Sequence, residues 1–239
     1  MKRDMLLLLL CLCVLGGVSW LSAGRSASVT ATAASGGQWT LILDAGHGGE
    51  DGGASTAAGD KESDINLAVV QKTRALMTFL GIEPLLSREA DISLHSSGAE
   101  TIRQKKVSDL KNRVALVEST PNVMLLSVHQ NHFTDPRYSG AQVFFSGDDI
   151  SRQWGEDTQA MFQQVLNPGN TRKAKPIPDG IYLFDHISCP AILVECGFLS
   201  NGEEAALLLT GAYQRKVAIT LAGAYFHQLQ MIPATLGGE

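Results

Sequence analysis

A continuous apolar run, VMLLSV at residues 123–128, leads directly into His129. A run of this length and composition is typical of a strand covered on both faces, as in a parallel sheet between layers of helices. Similar strand-like runs span residues 39–44, just before the loop that carries His47, and residues 191–195, which end at Glu195. The sequence therefore predicts buried strands that end in polar or glycine-rich segments.

Apolar residues at helical spacing occupy much of the chain between these strands. They predict helices at residues 62–80, 107–119, 151–166 and 213–230. Further strands are predicted at residues 82–87 and 142–145, and Asn201 with Glu204 resembles a capping box that opens another helix. Because strands and helices alternate, we expect an α/β fold, a single domain with a largely parallel sheet covered by helices on both faces.

The N-terminus differs in composition from the rest of the chain. Lys2 and Arg3 precede an apolar run at residues 5–21, and small residues follow at 22–24. Residues 1–24 are therefore predicted to be a signal peptide, or an N-terminal membrane anchor if the run is retained. Residues 25–38 are small and polar, which predicts a flexible linker. We expect an exported, extracytoplasmic protein at the cell wall or membrane, with a folded domain at 39–232 and a tail at 233–239.

The net charge of −5 does not suggest a nucleic-acid-binding protein, and no nucleic-acid partner is expected. The one basic stretch, residues 103–113, also contains Asp109 and is predicted to be a solvated helix face.

Two cysteines, Cys189 and Cys196, lie outside the N-terminal segment and flank a predicted strand. At about 3.3 Å per residue they stand roughly 20 Å apart, too far for a disulfide, so we expect free and mostly buried thiols. Strand alternation places Cys196 on the opposite face from Glu195.

Three polar residues, His47, His129 and Glu195, follow or end predicted strands. Catalytic groups in open α/β sheets collect outside the carboxyl ends of the strands, so these residues are expected to converge. Glu62, at the start of a predicted helix, adds another carboxylate. Two imidazoles and a carboxylate, with an open position for water, are the ligands of many catalytic zinc sites. The residue types allow a metal site, although their spacing in sequence does not establish one.

Four motifs occur in the chain: LDAGHGG at 43–49, ESDINL at 62–67, SVHQN at 127–131 and LVECGFLSN at 193–201. Together, and in this order, they resemble the zinc-dependent N-acetylmuramoyl-L-alanine amidases of the family-3 type over about residues 40–229. The resemblance implies that His47, Glu62 and His129 hold Zn²⁺ and that Glu195 is catalytic. It also implies that residues 39–232 are an amidase domain that cleaves peptidoglycan between N-acetylmuramic acid and L-alanine.

Two further stretches, residues 103–113 and 139–144, are similar to the germination-specific subgroup of spore-forming bacteria. This similarity implies a role in maturation of the spore cortex, where muramic lactam forms, and a place in the forespore intermembrane space. Whether this chain also closes the lactam ring stays open.

Several polar residues near the motifs have more than one interpretation. Asn131 and Gln142 are candidates to hydrogen-bond substrate amides, whereas His132 and His186 are better explained as exposed loop residues. Arg88 and Arg113 either bind carboxylates of the stem peptide or pair with nearby aspartates, Asp91 and Asp109.

Two other functions stay open at this point. One is a zinc peptidase that cuts within the peptide stem, and the other is a non-catalytic wall-binding protein that kept the fold. In each case the expected partner is peptidoglycan, with membrane attachment through the N-terminus as an option, and the protein is expected to be a monomer.

Overall fold

The computed structural model describes residues 39–232. The predicted signal or anchor, linker and tail lie outside this range. Within it are the strands β1 (Thr40–Ala45), β2 (Leu85–Leu86), β3 (Val123–Asn131), β4 (Gln142–Phe145), β5 (Lys175–Pro176) and β6 (Ala191–Phe198). The helices are α1 (Glu62–Phe79), α2 (Ile102–Glu118), α3 (Asp149–Val165), α4 (Tyr182–Asp185), α5 (Gly202–Leu208) and α6 (Gly211–Met231). None of these helices combines the length and hydropathy needed to cross a membrane.

The strands form one sheet in the order β2-β1-β3-β6-β4-β5. Neighbours run parallel from β2 through β1 and β3 to β6, whereas β4 is antiparallel to β6 and β5 is parallel to β4. The prediction of a largely parallel sheet is confirmed. The central strand β3 lies between β1 and β6, so the carboxyl ends of these three strands are adjacent.

Side chains alternate between two hydrophobic clusters, one on each face of the sheet. On β3, Met124, Leu126 and Val128 join the larger cluster, which also includes residues of α1, α3 and α6. Val123 and Leu125 join the smaller cluster, with residues of α2 and α4. Helices therefore cover both faces, as expected, and most of the buried hydrophobic residues belong to the larger cluster.

Several boundaries differ from the predictions for local reasons. The strand predicted at residues 82–87 is reduced to β2, because Ile82 donates its N–H to Met77 O in the helix cap and Pro84 has no N–H. Helix α2 begins five residues earlier than predicted, at a capping box formed by Thr101 and Gln104.

Only half of the capping box expected at Asn201 and Glu204 is present. The Asn201 side chain accepts the N–H of Glu204 at 3.0 Å and caps α5. The Glu204 carboxylate instead accepts the backbone N–H groups of Gly140 (2.8 Å) and Phe198 (2.7 Å). Glu204 therefore joins the β3–β4 loop to the end of β6.

The two cysteines of the described domain are free, as predicted. Cys196 is fully buried in the larger cluster, on the face opposite Glu195, and Cys189 is half-buried. Burial raises the pKa of both thiols, that of Cys189 to about 12, so neither is an activated nucleophile.

Candidate metal and catalytic site

The site lies at the carboxyl ends of β1, β3 and β6. Ala45 of β1 pairs with Val128 of β3, and His129 pairs with Glu195 of β6, so register alone brings the predicted residues together. His47 reaches the same place from the loop after β1, and Glu62 from the first residue of α1.

His47 has an uncommon backbone conformation for a residue other than glycine. Its φ of 62° is in the left-handed region, which other residues occupy at a cost of about 1–3 kcal/mol unless neighbours hold them. The preceding Gly46 donates to Val128 O at 3.1 Å. A Cβ atom at Gly46 would lie 2.2 Å from the His129 ring, so only glycine lets this loop pass beside the second histidine.

Glu62 lies between the two histidines and is buried. Its Oε1 is 3.0 Å from His129 Nδ1, and its Oε2 is 3.4 Å from His47 Nε2. The backbone N–H groups of Gln130 (3.1 Å) and Ala54 (2.9 Å) donate to the same carboxylate. Burial alone would raise the pKa of Glu62, but hydrogen bonds and charge from His129 and His47 outweigh burial and lower it. The carboxylate is therefore ionised and fixed in orientation.

His47, Glu62 and His129 each offer one ligand atom, and these atoms lie within 4.8 Å of one another. Two nitrogen donors and one carboxylate oxygen at this separation match a three-ligand zinc site with a free position for water. A second glycine makes room for them: a Cβ at Gly53 would lie 2.5 Å from Glu62 Oε2. The residues present fit a divalent metal ion.

Asp51 orients His47 from the side away from Glu62. Its Oδ2 is 3.1 Å from His47 Nδ1, which leaves Nε2 directed at the ligand cluster. Burial would lower the pKa of His47, but Asp51 and Glu62 together raise it to about 9. Binding of a cation at Nε2 therefore displaces a proton. Lys106 Nζ lies 3.2 Å from the same Asp51 oxygen and balances its charge.

Arg113 supports the loop that carries His47 by hydrogen bonds to its backbone. Its Nη2 donates to His47 O at 2.7 Å and its Nη1 to Ala45 O at 2.9 Å. It also forms buried ion pairs with Asp44 and with Asp109, the latter at 2.7 Å. This guanidinium thus stabilises the strained loop, and its pairing with Asp109 agrees with one of the two predicted roles. The prediction of a solvated basic face is wrong for Arg113, which is 3% exposed.

Arg88 supports the same loop through backbone oxygens. It donates to Ala45 O (3.0 Å), Gly46 O (3.1 Å) and Ser63 O (2.7 Å). The predicted pairing with Asp91 is wrong: Asp91 accepts the N–H of Gly49 instead, at 2.8 Å. Burial and the nearby charge of Arg113 lower the pKa of Arg88. Arg88 is engaged by carbonyls and is not available for a substrate carboxylate.

Among the predicted residues, Glu195 differs from Glu62 because its carboxylate has no hydrogen-bond partner within the described domain. Its Oε2 is inaccessible to solvent and accepts no hydrogen bond from any described residue. Burial raises the pKa of Glu195 to about 7, and the histidines only partly oppose this. A carboxylate with a pKa near 7 beside three candidate metal ligands is suited to take and return a proton.

The other predicted residues are placed as follows. Gln142 is the Cα partner of Glu195 on β4, but its Nε2 already donates to Lys173 O (2.8 Å) and Val143 O (3.0 Å). Asn131 is half-buried at the end of β3. His132 and His186 are exposed, and His186 stacks on Tyr182 with 4.0 Å between ring centroids.

Sequence reasoning did not identify Asp51 as the partner of His47, or Asp44 as the partner of Arg113. The first had a local signal, a carboxylate four residues after a candidate ligand. The second had none, because 69 residues separate Asp44 from Arg113.

The family model for N-acetylmuramoyl-L-alanine amidase, Amidase_3, matches residues 41–225. The chain therefore belongs to this family of amidases, in agreement with its fold, and has amidase activity on peptidoglycan.

Particular relatives agree with this assignment. The germination-specific N-acetylmuramoyl-L-alanine amidase of Bacillus subtilis (strain 168) is 37% identical over 186 residues, which cover 76% of each chain. AmiA of Escherichia coli (strain K12) is 27% identical, covering 81% of this chain and 78% of its own. The structure of the CwlD amidase from Clostridioides difficile, in complex with the GerS lipoprotein, matches with a TM-score of 0.77 and 38% identity, over 81% of this chain and 99% of that chain.

Proposed function

We propose that this enzyme is a zinc-dependent hydrolase that cleaves the amide bond between N-acetylmuramic acid and L-alanine, with His47, Glu62 and His129 as the metal ligands. The observation that carries the proposal is the cluster of these three ligands, within 4.8 Å of one another, with Glu195 paired opposite His129 on the neighbouring strand. A wall-binding protein would have no need for a buried, unpartnered carboxylate at this position.

Zn²⁺ held by these residues supplies a Lewis acid for the scissile carbonyl and lowers the pKa of water to about 7. The protein contributes the rest of the chemistry. Asp51 keeps the His47 Nδ1 hydrogen-bonded, so that Nε2 carries the lone pair that faces the cluster. The N–H groups of Gln130 and Ala54 fix the Glu62 carboxylate.

Glu195 is the proton carrier in this proposal. Its carboxylate accepts a proton from the attacking water and then donates it to the alanine nitrogen, which leaves as a free amine. Its Oε2 is free to take the proton because no described residue hydrogen-bonds it. Burial keeps the pKa near 7, so the same group can be base and then acid at neutral pH.

Asn131 and Gln142 are proposed to contact the substrate amides. Gln142 can only accept, through its Oε1, since Nε2 is committed to backbone carbonyls. Asn131 lies at the end of β3, two residues beyond His129, the strand partner of Glu195.

The biological setting is proposed to be spore cortex maturation, in which this cleavage prepares muramic acid for lactam formation. The germination-specific relative from Bacillus subtilis supports it. The enzyme would act outside the cytoplasm, in the forespore intermembrane space. Since the Clostridioides difficile relative was solved with a lipoprotein, a lipoprotein partner is part of this proposal. Deleting the gene should abolish muramic lactam in purified cortex, and unchanged lactam would contradict the setting.

Mass spectrometry of muropeptides incubated with the metal-loaded protein tests the reaction itself. The proposal expects intact glycan and stem peptides that begin with a free L-alanine amine, and loss of both products when EDTA removes the metal. Cleavage within the stem would identify a peptidase instead. No cleavage, with the metal retained, would favour a wall-binding protein.

A further inference from the structure

An aromatic cluster with two exposed rings packed near a buried one, Phe198, lies at the end of β6 and has no role in the chemistry above. We call it the aromatic shelf. It consists of Phe133 and Tyr138 from the β3–β4 loop, Phe198 at the end of β6, and Arg172. The rings of Phe133 and Tyr138 meet edge to face with centroids 5.0 Å apart, and Tyr138 stacks over Phe198 at 6.2 Å. The Arg172 guanidinium lies over the rings of Phe198 (4.9 Å) and Tyr138 (5.5 Å).

Strand register places Phe198, the shelf residue on β6, close to Glu195. His129 pairs with Glu195, and beyond a register shift Asn131 pairs with Phe198, so that two residues of β3 lie opposite three residues of β6. Two residues along β3 correspond to about 7 Å. A substrate whose amide lies at Glu195, and whose chain follows the carboxyl ends of β3 and β6, therefore reaches the shelf.

The loop that carries the shelf is fixed to the segment after β6 at three points. Phe133 N donates to Ser200 Oγ at 3.1 Å, Asn201 Nδ2 donates to Pro136 O at 2.8 Å, and Gly140 N donates to the Glu204 carboxylate. Phe133 and Tyr138 are therefore held in place while 50% and 44% exposed. Adjacent exposed rings on an anchored loop beside an active site are typical of a ligand contact.

We infer that the aromatic shelf binds the amino-sugar chain of the substrate, on the muramic acid side of the scissile amide. This inference rests on the proposed function. A pyranose ring presents a face of C–H groups that packs flat on an aromatic ring, while its hydroxyl and acetamido oxygens can accept from a guanidinium such as Arg172. The stem begins with alanine, whose methyl group offers little apolar area to Phe133 or Tyr138.

Direct binding of two probes tests the inference. One is a glycan strand stripped of stem peptides, and the other is a stem peptide free of sugar, each titrated calorimetrically into the full-length protein. Phe133→Ala and Tyr138→Ala should each weaken glycan binding about tenfold and leave peptide binding unchanged. Phe79→Ala is the matched control, because Phe79 is 85% exposed at the far end of α1 and should change neither affinity.

Conservative variants separate contact from folding. Tyr138→Phe and Phe133→Trp keep a ring and should keep glycan binding even if an alanine variant is unstable. Unchanged glycan affinity in both alanine variants, no glycan binding by the wild type, or loss of peptide binding alone would each overturn the inference. Failure of the proposed function has a different signature: muropeptides stay uncut by the wild type while glycan binding still depends on the rings.

Discussion

Two carboxylates near the carboxyl ends of strands on either side of β3, Asp44 and Glu195, have opposite surroundings. Asp44 is met by the Arg113 guanidinium and by the Ser127 hydroxyl at 2.6 Å. The Oε2 of Glu195 has no hydrogen-bond partner within the described domain. Burial would raise the pKa of both; at Asp44 the Arg113 charge and the hydroxyls outweigh it and lower the pKa to about 2, whereas Glu195 reaches about 7.

The difference separates positioning from chemistry. A buried charge whose partners are all present holds neighbouring atoms in place. Arg113, paired with Asp44, donates to the carbonyl oxygen of His47 and so fixes the loop that carries His47. A buried carboxylate without partners costs stability and is free to exchange a proton. The carboxylate on β1 therefore supports the site, whereas in our proposal the carboxylate on β6 carries the proton.

The largest effect on folding is expected from Asp44→Asn. This change removes one partner of a buried ion pair and should lower the free energy of unfolding by about 3 kcal/mol, measured by urea denaturation of the metal-free protein. This value is at the lower end of the usual cost of breaking a buried ion pair, because Asp109 still pairs with Arg113. Asp179→Asn, an exposed carboxylate in a turn, is the control and should stay within about 0.5 kcal/mol. Equal free energies of unfolding for Asp44→Asn and Asp179→Asn would show that Asp44 does not have this supporting role.

Asp51→Asn tests the positioning of His47. Without the carboxylate, His47 Nδ1 loses its charged acceptor, and the affinity for Zn²⁺ should fall about 10- to 100-fold in a chelator competition. The metal-free protein should lose only about 1 kcal/mol of unfolding free energy with the Asp51–His47 pair, because Asp51 is partly exposed. An affinity equal to that of the wild type would mean that the loop backbone alone orients the ring.

Acid should destabilise the wild type through Asp44. Its pKa is lower in the folded protein than the ordinary 3.8, so its contribution is present above pH 4 and is lost as the pH falls toward 2. The loss attributable to this group is about 2 kcal/mol. Unfolding measured between pH 5 and pH 2 should show a shallower decline in Asp44→Asn, and parallel curves would contradict the prediction.

The smallest effect on folding is expected at Glu195. Glu195→Gln removes a buried, unpartnered carboxylate, so the metal-free protein should be as stable as the wild type or slightly more stable, within about 1 kcal/mol. A loss comparable to that of Asp44→Asn would mean that Glu195 also has a supporting role.

The parts of the fold that local pattern governs were predictable from the sequence. Apolar runs predicted β1, β3 and β6, and the residues at their ends meet because parallel strands end on one edge. The direction of β4 and the Asp44–Arg113 pair were not predictable, because they depend on contacts between distant segments. The early start of α2 could have been read from Thr101 and Gln104, which form a capping box.

One measurement tests the central claim most directly: zinc content and turnover of Glu195→Gln determined on the same preparation. We predict one zinc ion per chain, as in the wild type, with release of L-alanine-terminated peptides from muropeptides reduced about 10²- to 10⁴-fold. Turnover close to that of the wild type with zinc bound would contradict the role of Glu195. Loss of zinc together with activity would place Glu195 among the ligands instead.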